Sequence, residues 1–476
     1  MLLGIDLGTG SCKALLLDLE GRLVAEASQG YPVRAPRPGW AESDPEDWWQ
    51  AVGQAAQRAV APYAGRVLAI GLCGQMHGVV LCDAEGTPLR PAILWADTRA
   101  TAKLRDIQEL PESERLRLAN PPAVGMAATS LLWLKEHEPE HYRKARWALQ
   151  PKDWLRLRFT RQANSEPSDA SGTLLYDLLA DTWALGVVEA LGLRPDLLPP
   201  LLPSGSVAGF LTEPAARHLG LPSGLPVAAG AADTAAALLG GGVGLGEVQL
   251  TVGSGAQVAV LLARPHVDPH LRTHLYRAAL PGQWYAMAAM QNAGLALEWV
   301  RQLLGLSWAQ AYKEAERVPI GCEGLVFLPY LTGERTPHLD SEARGVWAGL
   351  GLNHSRGHLM RAALEGLAFS LREGLEALSQ AIPDHTPLRL AGGGSAEPFW
   401  QQMLADVLGR TLLAAPTRSA SARGAAMLAA MSIGVSTDWP QELPWPVARP
   451  QTSDYEEVYA RFRRLYSRLK GWFSMS

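Results

Sequence analysis

Short apolar runs alternate with turn residues from the first positions of the chain. LLGIDL, CKALLLDL and RLVAEAS predict three strands of an antiparallel meander. SDPEDWWQAVGQAAQRAVAPY, beginning at Ser43, then switches to a helical period. Ser43 and Glu46 form an S-x-x-E capping box there, with Pro45 in the first turn, where a missing N–H costs little. RVLAIGLCG, GVVLCD and PAILW read as further strands. Strands, a helix, a strand and more helices in that order predict an α/β protein.

The same habit returns past the midpoint. LTVGSGAQVAVLL and WYAMAAM read as strands, NAGLALEWVRQLL as a helix, and LRLAGGG breaks into the amphipathic EPFWQQMLADVLG. The repeat predicts two similar domains, residues 1–242 and 243–445, joined near residues 238–247. The glycine-dense LLGGGVGLGE there serves either as a hinge or as a tight packed turn. DYEEVYARFRRLYSRLKGWF predicts a terminal helix in a tail, residues 446–476, that packs on the body.

Composition narrows the classes. The chain has 476 residues, 47% hydrophobic and 19% charged, with a formal net charge of -4. Dispersed Lys and Arg argue against a nucleic-acid or polybasic membrane partner. Cys12, Cys73, Cys82 and Cys322 lack metal-ligand spacing, which fits a reducing cytoplasm. The longest apolar stretch is rich in Gly and carries Asp233, too interrupted for a membrane helix.

The candidate chemistry begins with a phrase that occurs twice. GIDLGTGSCKALLL aligns with LTVGSGAQVAVLL, so that Gly8, Thr9 and Gly10 fall opposite Gly253, Ser254 and Gly255. Each copy predicts a hairpin whose Gly-hydroxyl-Gly tip offers several backbone N–H groups to phosphate oxygens. Only the first copy carries an acid, Asp6, with a cation, Lys13, nearby. A carboxylate beside a phosphate site calls for a metal between them, which suggests Mg²⁺ held largely through water. Two opposed hairpins would clamp a nucleotide triphosphate across a cleft. Asp233 stands between a strand end and a helix start, suited either to an N-cap or to a general base raised by desolvation. Gln75, Met76 and His77, between glycines at a strand end, combine polar groups with an apolar face, as a polyhydroxylated substrate requires. Trp95 offers a face for sugar C–H groups, with Asp97 and Arg99 beside it. At Gly393, Gly394 and Ser395 the backbone can approach a flat, bulky group ahead of a helix N-terminus.

Taken together, GIDLGTG, GQMHG, ILWADTRA, PKDWLRLRFT, SDASGTLLYD, GAADTAA, FLPYLTGERTPH, LEGLAFSLREG and GGGSAEPFWQQMLADVLG resemble the FGGY carbohydrate kinases of the actin/hexokinase/Hsp70 superfamily. GQMHG in particular resembles the family's xylulokinase branch. The resemblance implies two ribonuclease-H-like domains with ATP, Mg²⁺ and a sugar in the cleft between them. It implies Asp233 as the base toward the 5-hydroxyl of D-xylulose, and Asp6 as the residue orienting the Mg²⁺–phosphate group. Met76 and His77 would bind the ketose, with Gln75, Trp95 and Thr234 lining the pocket. Gly8, Thr9, Gly10 and Lys13 would meet the phosphates from one side and Gly253, Ser254 and Gly255 from the other. Gly393, Gly394 and Ser395 would cradle the adenosine. The family's common assembly is a homodimer. Thr234 replaces the Asn or Gln usual after the catalytic Asp and loses amide reach, and VGSGA replaces the common LGTSG. Alternatives are a kinase for another ketose or polyol, such as ribulose, and a sugar- and ATP-binding regulator without transfer.

Overall fold

The computed structural model describes residues 1–414, 419–440 and 443–473. In the first domain, β1 (Leu2–Leu7), β2 (Ser11–Leu17) and β3 (Leu23–Gly30) form the antiparallel meander. β1 also pairs in parallel with β4 (Ala69–Gly74). β5 (Val207–Phe210) and β6 (Pro226–Ala228) extend the sheet to the order β5-β6-β4-β1-β2-β3, and the short β7 (Ala231–Ala232) adds to the end of β4. The second sheet contains β8 (Val248–Val252), β9 (Ala256–Leu262), β10 (His274–Arg277), β11 (Trp284–Met290), β12 (Leu388–Ala391), β13 (Leu412–Ala414) and β14 (Trp445–Ala448). Its order is β10-β11-β9-β8-β12-β13-β14. Each sheet therefore centres on one antiparallel hairpin flanked by a third antiparallel strand and a parallel strand, as the repeated phrase predicts.

Strand alternation distributes β1 between two helices. Leu3, Ile5 and Leu7 join Trp48 and Val52 of α1 (Pro45–Val60) in one buried cluster. The opposite face carries Gly4 and Asp6. There Gly4, and Gly71 of β4, meet α6 (Ala420–Ser432), a helix from the second half of the sequence. A Cβ on Gly4 would stand 2.0 Å from the Ala422 carbonyl oxygen, and one on Gly71 1.8 Å from that of Ala425. Between α1 and α6 in the chain lie α2 (Pro151–Thr160), α3 (Asp233–Gly240), α4 (Arg356–Ala377) and α5 (Pro398–Leu408). α6 also presses on α3, where Gly424 and Gly240 take the place that side chains would need. Gly240 thus serves close packing, while Gly242 and Gly246 supply left-handed turns before β8. α7 (Glu456–Phe473) buries Val458, Tyr459, Phe462, Tyr466 and Phe473 against the body.

Two local expectations change. The cap of α1 is Asp44, whose carboxylate accepts the Glu46 N–H at 2.9 Å, because Ser43 is drawn into a short strand pairing with Ala92. GVVLCD and PAILW yield only Val80–Cys82 and Ala92–Ile93, and these pair outside the main sheet. Among the described residues no helix is long and apolar enough to cross a membrane.

Candidate active site

Three parallel strand ends converge at the carboxylates. Asp6 of β1 is in register with Cys73 of β4, and Cys73 with Ala231 of β7. Asp233 follows one residue beyond β7, as the first residue of α3. Ligands of open α/β sheets bind at such carboxyl ends. Burial raises Asp233 to a pKa of about 7, helped by the negative charge of Asp6; the Thr234 donors oppose the shift. The Thr234 N–H donates to Asp233 Oδ1 at 2.6 Å and its hydroxyl at 3.2 Å. Asp233 thus sits inside the helix start with its own neighbour as donor, and does not cap the helix. Burial likewise raises Asp6 to about 6, against the Cys73 thiol and Lys13. Asp6 Oδ1 is buried and has no hydrogen-bond partner among the described residues.

The glycine elements surround this floor. Both hairpin tips are open: the β1–β2 turn is closed by the Gly8 N–H on Ser11 O at 3.0 Å, and the β8–β9 turn by Gly253 N–H on Gly255 O at 2.8 Å. Gly392 and Gly394 lie against Val252, one residue before the second tip, so that the third glycine turn adjoins the second hairpin. Gly393 has open space where a Cβ would stand. The side chain of Ser395 lies outside the described residues. The Lys13 ammonium donates to Ser419 Oγ at 2.7 Å and lies 3.6 Å from Glu26, so in this structure the charge also ties β2 to the start of α6.

The loop after β4 places the next group. Gln75 is buried, and neither its amide oxygen nor its nitrogen has a partner among the described residues. Met76 Sδ accepts from the Tyr285 hydroxyl at 3.7 Å. His77 takes a left-handed conformation, φ 73°, and its Nδ1 lies 2.7 Å from Gly172 O. Nδ1 is therefore the donor, and burial lowers the imidazole to about 4, leaving Nε2 a neutral acceptor. Trp95 is exposed over the cleft, and its indole N–H donates to the Thr9 hydroxyl at 3.0 Å. Asp97 and Arg99 do not join the site. Asp97 pairs with Arg99, which also pairs with Glu42, and the Arg99 guanidinium lies over Trp40.

Two clusters went unassigned in the sequence. A fully buried ion group supports β7 from behind. The Lys152 ammonium lies 2.6 Å from Asp153, 3.1 Å from Asp169 and 3.3 Å from Glu166. Ser168 Oγ, held by Glu166, accepts the Ala232 N–H at 2.9 Å, which fixes the strand end carrying Asp233. PKDW and SDASG contain Lys152, Asp153, Ser168 and Asp169, and Glu166 lies just before SDASG, but nothing local reveals that they pair. The second cluster is the loop around Glu334 and Arg335, where Arg335 reaches over the Trp95 ring at 5.9 Å.

The raised Asp233 has a stability consequence in the ligand-free protein. Between the unfolded carboxyl pKa of about 3.9 and its folded value of about 7, the folded state holds a proton that the unfolded state releases. This group's contribution to stability therefore falls as pH rises through that window. Asp233→Asn, which cannot ionise, is expected to melt a few degrees above the parent at pH 8 and level with it near pH 4. An equal difference at both pH values would contradict the burial of this charge.

A model of the FGGY family of carbohydrate kinases, N-terminal domain, matches residues 1–240, and the C-terminal domain of that family matches residues 248–433. The chain is 36% identical to the xylulose kinase of Escherichia coli (strain K12), over 98% of this chain and 99% of that one. It is similar to the crystal structure of a xyloylose kinase from Brucella ovis, with a TM-score of 0.92, 33% identity and 99% of both chains covered. It also resembles the structure of xylulose kinase from Rhodospirillum rubrum, with a TM-score of 0.89, 31% identity and 99% of both chains covered. The expected architecture of two actin/hexokinase-type domains around a central cleft holds.

Proposed function

Because the chain belongs to the FGGY family of carbohydrate kinases, we propose that it transfers the γ-phosphoryl group of ATP to the 5-hydroxyl of D-xylulose. The bond from the γ-phosphorus to the β,γ-bridging oxygen breaks, a bond to the sugar oxygen forms, and ADP leaves. The observation that carries this reading is the meeting of Asp6 and Asp233 at one set of strand ends, with an open glycine tip contributed by each domain. The similarity to xylulose kinases supports the choice of sugar.

Phosphoryl transfer needs mainly positioning and charge stabilisation from a protein. Asp233 accepts the hydroxyl proton; its raised pKa makes it a stronger base than a solvated carboxylate. The buried ion group behind β7 keeps the strand end that carries Asp233 in place. His77 Nε2, Met76 and the unpartnered amide of Gln75 receive the sugar, with Trp95 against its C–H face. The N–H groups of the tips that the turns leave unused, at Thr9–Gly10 and Ser254–Gly255, face the phosphates, and the Gly393–Gly394 turn takes the adenosine end. The unpartnered Oδ1 of Asp6 fits Mg²⁺, which when bound with the nucleotide neutralises phosphate charge. Among the described residues no group of three acidic, His or Cys side chains could hold a metal, so water and phosphate would complete its shell. Four buried free cysteines support placing the reaction in the cytoplasm.

A second reading, another ketose such as ribulose, is favoured by one feature. The Thr234 hydroxyl turns back onto Asp233 and offers no amide reach into the pocket. Phosphorus NMR of the product tests the transfer itself. D-xylulose with MgATP is expected to give a phosphomonoester coupled to the two C5 protons, in step with ADP. ADP without an ester would overturn the kinase reading.

A further inference from the structure

The loop carrying Arg335 is stitched to the second phosphate hairpin. Glu334 Oε1 accepts the N–H groups of Gln291 at 2.6 Å and Arg335 at 2.8 Å. The Thr336 N–H donates to Ala289 O at 3.0 Å, and its hydroxyl accepts the Ala289 N–H at 3.2 Å. Immediately after these residues the chain supports the hairpin tip. The Ala293 N–H donates to Ser254 O at 3.0 Å and the Gly294 N–H to Gly253 O at 2.9 Å. Arg335 and the Gly253–Gly255 tip thus ride on one rigid piece of the second domain.

The guanidinium leaves that piece and crosses the cleft to Trp95 of the first domain. It has no hydrogen bond and no carboxylate partner among the described residues, although Glu334 is its neighbour in sequence. Partial burial depresses its pKa, and its charge is felt by His77, His274 and Tyr276. Tyr276 is buried with its hydroxyl unpartnered, and its ring stacks on His274 at 5.5 Å. A five-donor cation without a protein acceptor beside Met76 and His77 is available to acceptors from outside the chain. A polyhydroxylated ketose supplies them.

We propose that Arg335 is a specificity-determining residue that donates hydrogen bonds to the oxygen atoms of the bound sugar, opposite Met76 and His77. Because its loop carries the second hairpin, sugar occupancy draws that tip into place for transfer. This rests on the sugar-kinase reading, and the test separates the two. D-xylulose binding is measured by calorimetry without nucleotide, and steady-state constants are measured beside it, for the parent, Arg335→Ala and Arg335→Lys. Binding of D-xylulose by the parent together with sugar-dependent turnover supports the kinase reading; no binding by the parent sinks both readings. Arg335→Ala is expected to weaken the sugar at least about tenfold, the usual scale for losing a charged donor, and to raise its KM in parallel, with the KM for ATP within about twofold. Arg335→Lys, which keeps the charge but not the planar fork, is expected to fold like the parent and weaken the sugar at least threefold. Sugar affinity within twofold of the parent in both variants, or a loss confined to ATP, would overturn the role of Arg335.

Discussion

Asp233→Ala lowers kcat by about 10²–10⁴, the usual contribution of a general base, while the KM for ATP stays within about twofold. The reason is geometric. Asp233 projects from the first turn of α3 at the end of β7, and the elements proposed to hold the nucleotide are the hairpin tips and the Gly393–Gly394 turn. Removing the carboxylate leaves those elements untouched and takes away the proposed proton acceptor. It also removes a buried group that shares its surroundings with Asp6, so the variant is expected to fold at least as well as the parent at pH 8. Steady-state kinetics with a melting curve checks both halves. Turnover within threefold of the parent would remove Asp233 from the mechanism.

Gly71→Ala has the largest expected effect on the fold. A Cβ at Gly71 would meet the Ala425 carbonyl oxygen at 1.8 Å, and the obstacle is helix backbone, not a flexible side chain. α6 cannot withdraw alone, because Gly4 fixes it to β1 and Gly424 fixes it to α3 at similar range. The neighbouring Asp6 and Cys73 share this face, and the Cys73 thiol donates to Ser421 O at 3.3 Å. Separating α6 from the sheet would therefore also disturb the strand ends that present the carboxylates. We expect a loss of about 2–5 kcal/mol on denaturant unfolding, in the upper range for overpacking. Gly65→Ala, where nothing lies within 4 Å of the added Cβ, serves as the control and should stay within about 0.5 kcal/mol. Equal stability of the two variants would contradict the close sheet–helix contact.

These effects show which features sequence could disclose. The paired hairpins were legible because period-2 apolar runs and a Gly-hydroxyl-Gly turn are local signals, and the same signals located Asp6. Asp233 was legible as a carboxylate at a strand-to-helix junction. Its partnership with Asp6 was not, since it depends on β7 adding to β4, which in turn pairs with β1. The contacts of Lys13 were not legible either, since proximity in sequence to a glycine tip does not reveal Glu26 across the strand pair or Ser419 from the far end of the chain. Ser43 misled by one position, since its pairing with Ala92 left Asp44 to cap α1. The small face of ASARGAAMLAAMS was not legible as a packing face, because the glycines it meets, Gly4 and Gly71, lie far upstream on a sheet of the other domain. The ion group of Lys152, Asp153, Glu166 and Asp169 likewise exists only after folding brings two segments together.

The most direct measurement of the central claim is ADP release at saturating MgATP across D-xylulose, D-ribulose, L-ribulose, glycerol and gluconate, with a sugar-free blank. The account predicts sugar-dependent release with the highest kcat/KM for D-xylulose, and with Thr234 tolerated in the pocket. The highest kcat/KM for a different sugar would keep the chemistry of Asp233 and contradict the assignment of D-xylulose. Release independent of sugar, or none at all, would contradict the kinase account as a whole.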